Sequence, residues 1–250
     1  MGSESRSFDR EAALRSGAIH DENHEKNRRR LRGFYGRVAE LQNQAIVAAC
    51  AGQRILDVGA GYGHLTQQLA DAGFDAVGIE VDEQKIARAS RWFDIRLRFG
   101  DFYAWPEDQT VDTVVFRESL NHLDLGTALS KAFRIAEKRC LVFQGTEILP
   151  LRTVKRLYHH EEHAQKTPEI VLTGLREAGF DIRDVVYRDS IAFPLSGGWW
   201  GRAWVPSIAT AERTVLKLDA IATWVVNAVG LGRLLCFRFL AIAEKPVMPS

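Results

Sequence analysis

The stretch "RILDVGAGYGHLTQQLADAGFDAVGIEVD", Arg54 to Asp82, decides how this chain folds. It opens on a short apolar run and breaks into glycines at alternate positions, Gly59, Gly61 and Gly63. It continues as the amphipathic segment "GHLTQQLADAG" and ends in a second apolar run, "DAVGIEV". Strand, glycine turn, helix and strand in that order make one βαβ unit, which needs a parallel sheet covered on both faces.

The same texture runs onward. "IRLRFG", "VDTVVFRE" and "RCLVFQG" read as further strands, with "DEQKIARASRWF" and "GTALSKAFRIAEK" as the helices between them. "TPEIVLTGLREAGF" opens with a Thr cap ahead of Pro168 and closes through Gly179, and "DIRDVVYRDSIAF" and "LLCFRFLAIAEK" follow as strands. The fold class is α/β, a doubly wound, Rossmann-like sheet. Before it, residues 1–51 read as a helical cap with apolar positions at Leu31, Phe34, Tyr35, Val38, Leu41 and Ala45. The core covers 52–194 and 233–246, and 195–232 is an insertion. The whole is one domain.

The glycine loop sits where a strand becomes a helix. Glycines there allow positive φ and bare backbone, and the helix start aims free N–H groups at whatever lies on it. Glu80, at the end of the second strand, is placed to accept from both hydroxyls of a ribose. Three details separate this from a dinucleotide site. The spacing is G-x-G-x-G rather than G-x-G-x-x-G. Asp57 stands at the strand tip, where it would repel a pyrophosphate and suit an ammonium group. Asp101, in "FGDFYAWP", can accept from an exocyclic amine with Phe102 beside it. Ribose, aminopurine and ammonium together describe S-adenosylmethionine.

On these residues the chain resembles the class I S-adenosylmethionine-dependent methyltransferases, specifically their small-molecule branch, from about Gln53 to Glu147. The resemblance implies that Asp57, Gly59, Ala60 and Gly61 hold the methionine moiety, that Glu80 takes the ribose with Val81 against the adenine, and that Asp101 and Phe102 form the adenine edge. It implies a seven-stranded sheet whose last strand, "LLCFRFLAIAEK", is antiparallel. "VDTVVFRESLNHL" matches the fourth strand with its trailing Leu120, His122 and Leu123. Arg117, counted with the cofactor-binding residues, and Glu118 stand where relatives carry small or apolar residues, and Asn121 replaces a common Glu. The substrate end is therefore unusual. Two other readings stay open: an NAD(P)-dependent oxidoreductase, and a catalytically silent cofactor-binding module acting through a partner.

Methyl transfer asks for positioning more than for acid–base chemistry. His122 is the candidate general base for a hydroxyl acceptor, since it follows the fourth strand at the carboxyl edge. His159, in "YHHEEHAQ", is a candidate substrate contact; His159-x-x-Glu162-His163 also matches an inverted zinc-protease pattern, but no flanking sequence supports that scaffold and no metal is expected. Trp199 and Trp200, set among glycines in the insertion, read as walls of an apolar acceptor pocket under a lid, with Tyr35 closing from the N-terminal helix. The insertion could equally cap the sheet or form a homodimer contact.

Composition bounds the rest. With 250 residues, 46% hydrophobic and 26% charged, the chain has ordinary soluble composition, and a formal net charge of +1 gives no field for nucleic acid. Arg28–Arg29–Arg30 reads as a solvated helix face. Three scattered cysteines without a CxxC pair fit a reduced cytoplasmic setting, and "AIATWVVNAVGLG" is too short to span a bilayer. The expectation is a cytoplasmic enzyme methylating a small, partly apolar metabolite, on oxygen first and nitrogen or carbon next.

Overall fold

The computed structural model describes residues 33–146, 166–198 and 202–246. His159, Trp199 and Trp200 lie outside them. Among the described residues, seven strands form one sheet in the order β3-β2-β1-β4-β5-β7-β6. They are β1 (Arg54–Val58), β2 (Asp75–Glu80), β3 (Arg96–Phe99), β4 (Val111–Arg117), β5 (Ala136–Gly145), β6 (Asp181–Arg188) and β7 (Arg238–Glu244). The first five pair in parallel, and β7 is antiparallel to both β5 and β6. The doubly wound, Rossmann-like sheet and its antiparallel last strand are as the motifs implied.

Both faces are covered. In β4, Val114 and Phe116 point into one apolar core with the helices α4 (Leu125–Ile135) and α5 (Pro168–Glu177), while Val115 points into the other. That second core takes Ile46 of α1 (Phe34–Ala49) and Leu65 and Leu69 of α2 (His64–Asp71). Strands buried on both sides must read as near-continuous apolar runs, which is why "VDTVVF" and "ILDV" carried no alternation. α3 (Glu83–Ala89) connects β2 to β3 and is capped by Asp82, which accepts from the amides of Gln84 and Lys85.

Local details depart from the sequence expectation. α1 buries Gln42 and Asn43 and leaves Leu41 39% exposed, so its inward face is offset from the apolar spacing. The helix expected to run through Lys138 stops at Ile135, because Ala136 already pairs with Val111. β6 stops at Arg188 instead of reaching Phe193. Asp189 there has φ 64, which no extended strand can carry, and Asp219 then accepts from the amides of Ile191 and Ala192 to start the helical turn α6 (Ala192–Leu195). The helix α7 (Ala209–Ala228) and the turn α8 (Gly232–Leu235) precede β7, so that strand begins four residues later than the apolar run in the sequence.

Candidate functional site

Sheet order reverses direction between β1 and β4, and in open α/β sheets the carboxyl ends of the strands at such a reversal are where ligands bind. The glycine loop follows β1 there. The amides of Gly59 and Ala60 donate to the carbonyl of Ile79, which fastens the loop to β2. A Cβ on Gly59 would meet the Ser119 Cβ at 2.6 Å, so the loop packs directly on the chain leaving β4. Gly61 differs: its φ is +57 and a Cβ there would meet nothing within 4 Å. Backbone conformation demands both glycines, with φ +71 at Gly59; packing demands the first as well, whereas the second stands beside open space.

Asp57, at the tip of β1, is 1% exposed. Its carboxylate accepts from the Thr66 hydroxyl at 2.8 Å, and burial pushes its pKa up to about 6 despite that bond and the nearby Arg117 guanidinium. The Thr66 amide and the Arg117 guanidinium also favour the charged form, but burial outweighs them, so a cationic ligand placed against this carboxylate would stabilise it further. Arg117, at the end of β4, reaches Gln42 at 3.4 Å, and its Nε is buried with no hydrogen-bond partner. An anion and a cation thus stand near one another at the carboxyl ends of β1 and β4.

Glu80 is held by three main-chain donors: Gly61 at 2.7 Å, Val81 at 3.0 Å and Asp82 at 3.1 Å. Its carboxylate therefore couples the glycine loop to the end of β2 before any ligand arrives. Val81 beside it is 38% exposed. Asp101 follows β3 and its Oδ1 accepts from Tyr103 N–H at 2.9 Å. Phe102 is 3% exposed and edge-on to Phe116, so its side chain belongs to the core and only its main chain faces outward chemistry. Tyr62 of the glycine loop lies 5.7 Å from the Trp92 ring, adding an aromatic flank that the motifs did not announce.

The substrate end is built by the turn after β4. Glu118 has φ 59, a strained conformation held by its amide bonding Phe143 O and by Arg238 at 3.1 Å from its carboxylate. His122 is exposed at the end of the 3-10 turn Leu120–His122. Asn121 accepts from the buried Gln144 at 2.8 Å, and the Lys166 ammonium bonds the carbonyls of Leu120 and Leu123. Asn121 thus anchors the turn that carries His122. Tyr35 is half-buried 6.5 Å from the Phe193 ring, in a small apolar cluster with Phe34, Val38, Val205 and Phe237 above the ends of β6 and β7. Beneath it Gln42 donates to Asp189 at 2.6 Å, and burial pushes that carboxyl up to about 6.

The structure brings Asp57, Gly59, Ala60, Gly61, Glu80 and Arg117 to the carboxyl ends of β1, β2 and β4, with Asp101 after β3 and His122 in the turn after β4. Sequence reasoning missed Thr66, Ser119, Gln42 and Asp189. Thr66 left a signal: a hydroxyl between Leu65 and Leu69 on a buried helix face needs a partner. The other three left none. All three cysteines are free, and burial pushes the Cys50 thiol up to about 12, so it is inert. Among the described residues no cluster of His, Cys, Asp and Glu could hold a metal ion, and no helix is long and apolar enough to cross a membrane.

Residues 55–139 match the sequence model of a family described as a methyltransferase domain. A probable S-adenosylmethionine-dependent methyltransferase of Mycolicibacterium smegmatis is 30% identical over 162 residues, 61% of this chain and 62% of that protein. An uncharacterised methyltransferase of a Geobacillus species is 33% identical over 98 residues, 37% of this chain and 46% of that one. The chain thus spans less than two thirds of the length of the curated relatives it matches. Among solved structures, magnesium protoporphyrin IX methyltransferase from Synechocystis with bound S-adenosylhomocysteine superposes with a TM-score of 0.62 at 14% identity, over 94% of this chain and 100% of that one. A methyltransferase from Archaeoglobus fulgidus gives 0.59 at 17% identity, over 84% and 94%. At such identities the likeness is one of fold.

Proposed function

We propose that this chain, whose residues 55–139 match a family described as a methyltransferase domain, moves a methyl group from S-adenosylmethionine to a small, partly apolar metabolite, on oxygen first and on nitrogen or carbon next. The observation that carries this is the pairing of a buried, cation-seeking Asp57 with Arg117 beneath a glycine loop already fastened to Glu80. The residues fit the group. Asp57 would receive the ammonium and Arg117 the carboxylate of the amino-acid end, where the Nε now lacks a partner. The open space at Gly61 leaves room for the ligand's chain, Glu80 would take the ribose hydroxyls, and Asp101 and the Phe102 main chain would take the adenine edge against Val81.

When bound, S-adenosylmethionine would supply a methyl already activated on a sulfonium, for transfer to an acceptor's lone pair with S-adenosylhomocysteine as the by-product. The chain's own work is then to orient and to exclude water. His122 takes the proton of a hydroxyl acceptor, on a turn pinned by Asn121, Gln144 and Lys166. Tyr35 and its apolar cluster wall the acceptor side, joined in this reading by Trp199, Trp200 and His159. Residues 52–194 and 233–246 serve as the catalytic core, with 1–51 and 195–232 shaping the pocket. The enzyme works in the cytoplasm and needs no nucleic acid.

Calorimetric titration with S-adenosylmethionine, S-adenosylhomocysteine and NAD tests the cofactor. Both adenosyl ligands should bind and NAD should not; NAD binding alone would return the oxidoreductase reading. Release of S-adenosylhomocysteine with candidate acceptors then separates an enzyme from a silent binding module.

A further inference from the structure

The polarity of α7 is inverted over its C-terminal half. A helix lying on a domain turns its apolar stripe to the core. Here Asp219 bonds the amides of Ile191 and Ala192, Thr223 lies 3.1 Å from the Ser190 hydroxyl, and Asn227 donates to Tyr187 O at 3.0 Å. The inward side is thus held by polar contacts. The outward side carries Leu218, Ile221, Trp224 and Val225 at 53%, 61%, 71% and 43% exposure, and Leu234 and Leu235 of α8 are exposed beside it.

Charge on the helix is sorted the same way. Its two acids turn inward, Glu212 to Arg37 at 2.9 Å and Asp219 to the amides. Its two cations, Arg213 and Lys217, are exposed, and with Ile221 they are spaced by four, so one stripe runs from cationic to apolar. Cations, aliphatic residues and an exposed Trp on a single face are what the surface of an anionic bilayer selects.

We propose that α7 lies in the plane of an anionic lipid surface, its apolar half in the headgroup boundary and Arg213 and Lys217 among the phosphates. It lies on the membrane and does not cross it. A second copy fits less well: two such helices paired about a twofold axis in antiparallel fashion would set each cation on the partner's apolar half, with no acid to meet it. The proposal stands apart from methyl transfer. If both hold, docking brings the carboxyl edge of β6, and with it the acceptor side of the site, to a bilayer from which an apolar acceptor can be drawn.

Flotation of the full chain with vesicles of phosphatidylcholine mixed with phosphatidylglycerol, and of phosphatidylcholine alone, tests this. The chain should float with the mixed vesicles and weakly or not at all with the neutral ones. Ile221→Ser combined with Trp224→Ser should reduce binding by roughly tenfold or more, and Arg213→Glu combined with Lys217→Glu should reduce it to the neutral-vesicle level. Both pairs are solvent-facing, and unchanged cofactor titration in each variant shows an intact core. Absence of flotation by the unsubstituted chain overturns the proposal, as does flotation of both variants at its level. A dimer in sedimentation equilibrium that Ile221→Ser/Trp224→Ser disperses, without flotation, assigns the face to self-association and overturns it too.

Discussion

Asp57→Asn should make the ligand-free protein more stable and a poorer binder. Burial raises the Asp57 pKa from 3.8 to about 6. Because the folded value is the higher one, this group favours the fold below pH 3.8 and that contribution is lost as pH rises through about 6. Two pKa units correspond to about 3 kcal/mol, the upper limit of what neutralising the carboxylate can restore at pH 7.5. Asn keeps an oxygen for the Thr66 hydroxyl, so most of that bond survives. A gain of about 1–3 kcal/mol is expected, seen as a rise in melting temperature of about 2–4 °C per kcal/mol. Below about pH 4 the two proteins should converge. The same change removes the partner of an ammonium, so the dissociation constant for S-adenosylmethionine should rise by roughly tenfold to a hundredfold, the equivalent of about 1.5–3 kcal/mol. Denaturant unfolding at pH 4 and 7.5 measures the first effect and calorimetry the second. A variant less stable than its parent at pH 7.5, or one binding the cofactor unchanged, would refute the assignment of Asp57 as a buried charge awaiting a cation.

Glu80→Ala leaves the amides of Gly61, Val81 and Asp82 without their acceptor, so it should weaken cofactor binding by about 1.5–3 kcal/mol and lower the melting temperature as well; an unchanged dissociation constant in folded protein removes Glu80 from the site. Gly61→Ala should cost stability only the left-handed strain of about 1–2 kcal/mol, yet reduce cofactor affinity more than tenfold, whereas Gly59→Ala should destabilise more through its collision with Ser119. Equal effects of the two in a thermal melt and a titration would contradict the separate roles given to them. His122→Gln should lower kcat for a hydroxyl acceptor by roughly a hundredfold and leave cofactor affinity unchanged; a pH–rate profile that keeps its acidic limb in the variant means another group takes the proton.

The features readable in advance are the ones written in consecutive residues. Asp57 and Glu80 lie in the last residues of their strands and the glycines at 59 and 61 and Asp101 come just after strand ends, and a strand end places its neighbours at the sheet edge whatever the rest of the chain does. Phe102 shows the limit of that logic: it stands beside Asp101 in the chain, but the 3-10 turn that Asp101 caps sends its ring into the core. Arg117 ended a strand as expected, but nothing adjacent to it in sequence disclosed its neighbour Gln42.

By itself, then, the sequence determined the βαβ order, the doubly wound sheet with its antiparallel last strand and the kind of ligand the glycine loop suits. Each rests on local backbone preference and on period-two or period-3.6 burial, which neighbouring residues encode together. Only the tertiary structure decided that Asp57 meets Thr66, that Gln42 meets Asp189 across 147 residues of chain, and that β6 must stop at a left-handed Asp189. It also decided which side of α7 faces inward, because Asp219, Thr223 and Asn227 find their partners at the end of β6 and so turn Ile221 and Trp224 outward. A polar side chain's burial depends on the donor or acceptor it meets, and that partner is fixed by packing between distant segments, which no local pattern records.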